Sequence, residues 1–361
     1  MRAISITPGT PGMRLVTRPD PALTAPDQLK LQVVRVGVCG TDREEIVGGR
    51  ALAPTGQTEL VIGHEMMGRV LEVGQGVQRV QVGDLVVFSV RRGCGQCANC
   101  AMGRADMCQT GRYTERGIKG ADGYQTECVL DREQFATVLA PELEATGVLL
   151  EPLSIVEKAI DQALLLQRQR NPEAQVTPMW LSGRPCLVAG LGPVGLLAAM
   201  VLRLRGARVY GLDIVDPASA RPQWLATMGG HYLHGPVSRY PEPMDVIVDA
   251  SGFAALEFNL LEALGPNGIY ALTGIPGGDQ PLQIPGAALL RQIVLSNQAM
   301  FGSVNAARGH FQMAADDLVH ARLQWGKHVE ALITHHFTPE QFVAAGGALQ
   351  PGVIKAVVDW T

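Results

Sequence analysis

Residues 187–195 read LVAGLGPVG, a short apolar run followed by glycines in the spacing Gly-x-Gly-x-x-Gly. An apolar segment of helical length comes next, so the motif lies between a predicted strand and a predicted helix. Glycines here allow a tight turn and a close backbone approach to a pyrophosphate, whose charge suits the helix N-terminus. The predicted contacts to such a group are Gly190, Leu191, Gly192, Pro193, Val194 and Gly195. Because an isolated match also fits an ordinary strand–helix turn, the flanking sequence has to decide.

The flanking sequence alternates short apolar strands with segments of helical length. The predicted strands are residues 186–189, 208–212, 231–233, 245–249, 269–273 and 293–300. Such alternation is typical of a parallel sheet covered by helices on both faces. Six strands are enough for a doubly wound, Rossmann-type dinucleotide-binding domain, so the α/β class is predicted.

Asp213 follows the second of these strands, where an acidic residue accepts hydrogen bonds from the ribose hydroxyls of a dinucleotide. A carboxylate there would repel the 2′-phosphate of NADP, and the next residues, Ile214 and Val215, supply no cation. NAD is therefore the preferred cofactor, with NADP possible. The alternative is a solvated acid at a strand end.

The rest of the chain predicts a second domain that is rich in β-structure. Its predicted elements are strands at 29–38, 67–73, 84–90 and 124–130, a helix at 152–166, and a tail with a helix at 306–323, a helix start at Thr338 and a strand at 353–358. We therefore assign residues 1–154 and 301–361 to one domain and residues 155–300 to the dinucleotide-binding domain.

Composition narrows the class of protein. The chain has 361 residues, a formal net charge of -4 and no block of like charges, which disfavours nucleic acid or an anionic membrane as a partner. We find no membrane-spanning segment and no signal peptide, so a cytoplasmic protein is expected. The seven cysteines are an odd number in a long chain, which favours metal binding or catalysis over a disulfide framework.

Four of these cysteines lie close together between residues 93 and 110. They are Cys94, Cys97, Cys100 and Cys108, with glycines among them. Four thiolates complete the tetrahedral shell of zinc and leave no open position, so a structural zinc lobe is predicted. An iron–sulfur cluster is the alternative, but its motif commonly ends in Cys-Pro, whereas Gln109 follows Cys108 here.

A second set of ligand residues is dispersed along the chain. Cys39 lies in Cys-Gly-Thr-Asp, His64 and Glu65 are adjacent, and Glu151 precedes a proline. A thiolate, an imidazole and a carboxylate can hold a catalytic zinc with one position open to water or substrate. The expected chemistry is hydride transfer from a secondary hydroxyl to a nicotinamide, with Thr41 passing the proton outward. Thr41 could instead be the N-cap of a short helix.

In this order, the ligand residues, the four-cysteine lobe and the glycine motif resemble the medium-chain, zinc-dependent alcohol dehydrogenase family over essentially the whole chain. A narrower similarity is to the glucose 1-dehydrogenase branch. It is carried by residues 36–44, 91–94, 115–120, 151–153, 156–158 and 302–305. The resemblance implies a GroES-like catalytic domain, two zinc ions per chain and a homodimer or homotetramer.

The branch also implies roles for particular residues. Cys39, His64, Glu65 and Glu151 would serve the catalytic zinc. Because zinc tolerates five-coordinate intermediates, Glu65 and Glu151 are expected to alternate as fourth ligand and base. The sugar site would be formed by Thr41, Glu115, Glu151 and Asn305. Further cofactor contacts would come from Thr273, Gly274, Ile275, Ser303, Val304, Asn305 and Lys355. For Glu115, a solvated loop acid is the alternative.

The substrate predicted from the resemblance is an aldose such as glucose, oxidised at C1. Val90 and Ile155 are apolar where members of the branch often carry Asn and Asp. Lost hydrogen bonds to hydroxyl groups would disfavour a sugar, so a polyol, threonine or another secondary alcohol is the alternative. Two alternative functions outside the dehydrogenases are a zinc-free reductase of the same fold and a catalytically silent cofactor-binding protein.

Overall fold

The computed structural model describes residues 1–237, 239–279 and 281–361. Its strands are β1 (Arg2–Ile6), β2 (Arg14–Thr17), β3 (Gln28–Gly37), β4 (Leu60–Val61), β5 (Glu65–Val73), β6 (Leu85–Phe88), β7 (Arg91–Arg92), β8 (Thr114–Arg116), β9 (Gly120–Ala121), β10 (Cys128–Arg132), β11 (Ala136–Leu139), β12 (Pro185–Ala189), β13 (Arg208–Asp213), β14 (His231–His234), β15 (Met244–Asp249), β16 (Leu264–Leu272), β17 (Ala299–Gly302), β18 (Ile333–Phe337) and β19 (Lys355–Asp359). Its α-helices are α1 (Gly40–Ile46), α2 (Ala98–Ala101), α3 (Leu150–Arg170), α4 (Pro193–Leu204), α5 (Ala220–Thr227), α6 (Ala254–Asn259), α7 (Gly286–Leu295), α8 (Arg308–Trp325) and α9 (Pro339–Ala344).

The chain folds into two compact units. One contains Met1–Ser154, Asn305–Val319 and Val329–Thr361, and the other contains Ile155–Val304 and His320–His328. The first unit is built on a sheet in which the strands follow the order β11-β6-β5-β3-β19-β18, with β10 also paired to β3. Apolar side chains on these strands, such as Leu31, Val33 and Val358, are buried in one core.

The second unit contains a six-stranded parallel sheet with the order β14-β13-β12-β15-β16-β17. Counted within the sheet, this is the order 3-2-1-4-5-6 of the doubly wound dinucleotide-binding fold. The order in which strands are added to the sheet reverses between β12 and β15, and ligands of such sheets bind at the carboxyl ends of the strands at that point. The predicted α/β class and its doubly wound sheet are therefore confirmed.

Two predicted strands are partly wrong. Residues 293–295 belong to α7 rather than to a strand, because Leu289 and Ile293 pack one helical turn apart against the core of the second unit. Residues 124–127 precede β10. There the carbonyl of Gln125 accepts a hydrogen bond from the N–H of Ile4 on β1, and its N–H donates to the carbonyl of Ile62. Short apolar runs do not distinguish a helical face from a strand, which explains the first error.

Among the helices of the described residues, none is both long enough and apolar enough to cross a membrane.

Candidate metal and cofactor sites

Three of the four predicted catalytic ligands converge in the first unit. Cys39 directly precedes α1, and His64 directly precedes β5, whose first residue is Glu65. Antiparallel pairing sets Gly37, at the end of β3, opposite Glu65. One ligand atom from each of Cys39, His64 and Glu65 lies within 4.8 Å of the others. A soft sulfur, an imidazole nitrogen and a carboxylate oxygen form a donor set that zinc accepts.

Asp42 orients His64 within this cluster. Its Oδ1 lies 3.4 Å from Nδ1 of His64, and its Oδ2 accepts a hydrogen bond of 2.7 Å from the backbone N–H of Cys39. Burial lowers the pKa of His64, but Asp42 and Cys39 outweigh it and hold that pKa well above its usual value. A carboxylate on one ring nitrogen fixes the imidazole so that the other nitrogen can face a metal. Sequence reasoning missed this role, although an acid three residues after a helix cap is a recognisable signal.

Lys355 forms a buried ion pair with Glu65. Its side chain is 2% exposed, its Nζ contacts Oε2 of Glu65, and it donates a 3.0 Å hydrogen bond to the backbone carbonyl of Val38. Burial lowers the pKa of Lys355, but the negative charges of Glu65 and Cys39 raise it by more, so the net shift is upward. A Cβ on Gly37 would overlap the carboxylate of Glu65, so only glycine leaves room for this pair. The structure thus places Lys355 in contact with a candidate metal ligand.

Glu151 and Thr41 lie on the helices next to the cluster. Glu151 is buried in the first turn of α3 but is not among the three residues that share the 4.8 Å grouping. Burial raises the pKa of Glu151 to about 7, with His64 opposing and Glu65 reinforcing the shift. Thr41 is half-buried within α1, and the N-cap of that helix is Cys39, so the alternative role of Thr41 as N-cap is wrong.

The four-cysteine lobe is also assembled. One sulfur from each of Cys94, Cys97, Cys100 and Cys108 lies within 4.8 Å of the others, and all are free thiols. The sulfurs of Cys94 and Cys100 are 3.9 Å apart, close to the roughly 3.8 Å that a tetrahedral zinc with 2.3 Å bonds requires. A hydrogen bond with Thr110 and the N–H groups of Gln96 and Cys97 lower the pKa of Cys94 to about 5, whereas burial raises the pKa of Cys100 to about 12. The arrangement fits a closed metal site.

The glycine motif forms the predicted turn between β12 and α4. Gly190 has a φ of +81°, Gly192 is the N-cap, and Pro193 begins the helix. Asp213 accepts hydrogen bonds of 2.8 Å from the N–H of Leu191 and of 2.7 Å from the N–H of Ile214. The acid at the end of β13 is therefore tied to the glycine turn itself.

The surroundings of Asp213 differ from the sequence prediction in one respect. Arg221, on α5, places Nη1 3.7 Å from Oδ2 of Asp213. Ile214 and Val215 supply no cation, but Arg221 does. The sequence prediction considered only the residues directly after Asp213 and therefore missed it. The argument that charge repulsion excludes a 2′-phosphate is therefore weaker than the sequence implied.

The other predicted cofactor residues of the second unit surround the ends of β15 and β16. Backbone N–H groups of Thr273 and Gly274 donate to the carbonyl of Asp249, and Ser303 donates to Leu272. Ile275 and Val304 are about half exposed, at 56% and 49%. Asp249, which sequence reasoning missed, holds this turn in place.

We predict that two glycines of the motif fail in different ways. A Cβ on Gly195 would overlap the carbonyl of Gly190, whereas a Cβ on Gly192 has no neighbour within 4 Å. Gly195→Ala should therefore cost about 1–3 kcal/mol of stability through overpacking, which thermal unfolding without cofactor would measure. Gly192→Ala should lower stability by less than about 1 kcal/mol, because alanine is a poorer N-cap than glycine, but weaken NADH binding in a fluorescence titration. Equal stability of the two variants would contradict the prediction.

A family model described as glucose dehydrogenase C-terminus matches residues 144–360, and one described as alcohol dehydrogenase GroES-like domain matches residues 25–142. The chain belongs to the medium-chain, zinc-dependent alcohol dehydrogenase family, in its glucose dehydrogenase branch. The predicted family and the GroES-like and Rossmann architecture are thereby confirmed.

Individual members of this branch are similar over nearly their whole length. The chain is 37% identical to glucose 1-dehydrogenase 2 of Vulcanisaeta moutnovskia over 92% of each chain, and 36% identical to glucose 1-dehydrogenase of Methanocella arvoryzae over 90% of each. The solved structure of Haloferax mediterranei glucose dehydrogenase in complex with NADP, Zn and gluconolactone aligns with a TM-score of 0.88 and 30% identity. That alignment covers 100% of this chain and 99% of the other.

Proposed function

We propose that this chain is a zinc-dependent dehydrogenase that transfers a hydride from C1 of an aldose, such as glucose, to NAD(P). The observation that carries the proposal is the convergence of Cys39, His64 and Glu65 within 4.8 Å in the first unit. Relatives named glucose 1-dehydrogenase, at 36–37% identity, support the choice of substrate. The Haloferax enzyme, whose structure contains NADP and zinc, supports the choice of cofactor and metal.

Two zinc ions per chain fit the two groups of ligands. The four cysteines of the lobe would hold a structural ion, and Cys39, His64 and Glu65 would hold the catalytic one. Zinc bound there would supply Lewis acidity towards the substrate hydroxyl. Glu151, buried and with a pKa raised to about 7 by that burial, suits a group that exchanges between metal ligand and proton acceptor.

The substrate would be held by hydrogen bonds from the first unit. We assign this role to Glu115 and Asn305, which share a 2.6 Å hydrogen bond from Nδ2 of Asn305 to Oε1 of Glu115. Glu151 would contact the reacting end of the sugar, and Thr41, two residues after Cys39, would pass the proton outward.

The second unit would bind the cofactor, and the first would carry the metals and the substrate. The pyrophosphate would lie at Gly190–Gly195, and the adenosine ribose would bond Asp213. Residues 273–275 and 303–304 would approach the nicotinamide half. NAD is the preferred cofactor because Asp213 ends β13, and NADP remains possible because Arg221 lies beside it.

We predict that Asp213→Asn shifts the preference towards NADP. The substitution removes the negative charge that opposes a 2′-phosphate, while the positive charge of Arg221 stays beside the site. We expect the ratio of kcat/KM for NADP to that for NAD to rise roughly tenfold, about 1.4 kcal/mol. Asp216→Asn, the same change at an exposed acid three residues further on, is the control. A ratio that moves equally in both variants would contradict the assignment of Asp213.

Substrate and metal assays test the proposal directly. A panel of aldoses, polyols, threonine and simple alcohols should give the highest kcat/KM with an aldose, and metal analysis should give about two zinc per chain. A polyol or threonine as the best substrate would favour the alternative, which rests on apolar Val90 and Ile155. One zinc per chain and no turnover would favour a catalytically silent protein of the same fold.

A homodimer or homotetramer is the proposed assembly. On α7, Leu290, Val294 and Leu295 are 65%, 73% and 75% exposed, and β17 is an edge of its sheet among the described residues. An apolar helix face beside an open strand edge is typical of a surface that pairs with a second copy. Val294→Asp should then yield monomers in sedimentation analysis, and an unchanged sedimentation coefficient would count against this surface.

A further inference from the structure

Arg91 lies between the predicted sugar-binding carboxylate and the four-cysteine lobe. The short strands β7 and β8 pair antiparallel with Arg91 directly opposite Glu115. Nε and Nη2 of Arg91 both donate to Oε1 of Glu115, at 3.1 Å and 3.0 Å. Only 9% of the Arg91 side chain and 11% of the Glu115 side chain are exposed, so solvent screens this pair weakly.

The other contacts of Arg91 limit how its guanidinium can move. Nη1 donates a 2.8 Å hydrogen bond to the carbonyl of Asp106, which lies two residues before the ligand Cys108. The guanidinium carbon lies 4.0 Å from the ring centre of Tyr113, within the range of a cation–π contact. The side chain is therefore held at both ends of its planar group and across its face.

All the hydrogen bonds that Glu115 accepts through its carboxylate, among the described residues, end on one of its two oxygens. Oε1 accepts from Arg91 twice and from Asn305 once, at 2.6 Å. Oε2 accepts no hydrogen bond from the residues that the structure describes. A carboxylate fixed through one oxygen presents the other in a single direction, which is the arrangement that suits recognition of one hydroxyl group.

We infer that Arg91 is a positioning residue for substrate. It orients Oε2 of Glu115 towards a sugar hydroxyl, and its contact with the Asp106 carbonyl makes that orientation depend on the four-cysteine lobe. The inference rests on the proposed function, because it takes Glu115 as a substrate contact. Lysine carries the same charge but cannot make the forked contact to Glu115 and reach the Asp106 carbonyl with one planar group. The charge alone is therefore insufficient, and the geometry of the guanidinium matters.

The experiment compares Arg91→Lys with Arg92→Lys in the zinc-loaded enzyme. Arg92 is the next residue and is similarly enclosed, but it contacts Ser89, Tyr124 and Asp131 rather than Glu115. We expect Arg91→Lys to raise the KM for glucose roughly tenfold, with the KM for NAD, the zinc content and the thermal unfolding temperature unchanged. Arg92→Lys should leave the KM for glucose within about twofold.

A double-mutant cycle separates this inference from the proposed function. If Arg91 acts through Glu115, Arg91→Lys should add little to the KM of Glu115→Gln. Equal effects of Arg91→Lys in both backgrounds would overturn the inference, as would an unchanged KM in Arg91→Lys when Glu115→Gln raises it. An unchanged KM in Glu115→Gln would reject the sugar site and this inference together. Should Arg91→Lys unfold, Arg91→Gln, which retains donors for the Asp106 carbonyl, takes its place in the cycle.

Discussion

Replacing Cys39 with serine is expected to lower kcat by about a thousandfold or more, the largest effect on turnover expected of any single substitution in this chain. Cys39 supplies the one sulfur of the three-ligand cluster, and a hydroxyl is a poor substitute for a thiolate on zinc. Loss of Lewis acidity worth about 4 kcal/mol corresponds to this factor, at 1.36 kcal/mol for each tenfold change in rate.

The measurement pairs steady-state kinetics with metal analysis. Cys39→Ser should lose one zinc per chain while the ion of the lobe remains. Cys128→Ser is the matched control, because Cys128 is a half-buried cysteine on β10 that belongs to neither ligand group. Full activity in Cys39→Ser, or an equal loss in Cys128→Ser, would show that the cluster is not the catalytic metal site.

Cys97→Ser is expected to have the largest effect on stability. The lobe has little apolar core of its own, since α2 contains no buried residue, so the metal would supply most of the free energy that orders it. A loss of about 3 kcal/mol would lower the unfolding temperature of a unit of this size by roughly 6–12 °C. We expect kcat to change less than tenfold, while the KM for sugar rises because Arg91 connects the lobe to Glu115.

Calorimetry with and without a chelator would measure this effect. A chelator should lower the unfolding temperature of the unsubstituted protein more than that of Cys97→Ser, because the variant has already lost the ion of the lobe. Unchanged stability and activity in Cys97→Ser would mean that the four cysteines do not hold a structural metal.

The fold could be predicted from local patterns where those patterns repeat. Alternating strands and helices around the glycine motif gave the doubly wound sheet, and Thr338 caps α9 with the expected capping box. The strand predicted at residues 293–295 is wrong because Ile293, Val294 and Leu295 form a short run of branched apolar residues. Such a run fits a strand and a helix equally well. Only packing against the core of the second unit decides between them.

Within the candidate site, only the residues that could ligate a metal were recognisable from the sequence. Cys39, His64 and Glu65 are chemically distinctive in sequence, but the residues that orient them are ordinary acids and bases. The pairing of Lys355 with Glu65 depends on β19 lying beside β3, and that of Arg221 with Asp213 depends on where α5 begins. Both are consequences of tertiary pairing, which has no local signal.

The ion pair between Lys355 and Glu65 also bears on how the protein is made. The lobe needs only residues 94–108, so its four thiolates can capture a metal while most of the chain is still to be translated. Glu65 acquires its buried cation only after residue 355 has left the ribosome and β19 has paired with β3. For the two proposed zinc ions, we therefore expect different stages of acquisition, the structural ion binding during translation and the catalytic ion after it.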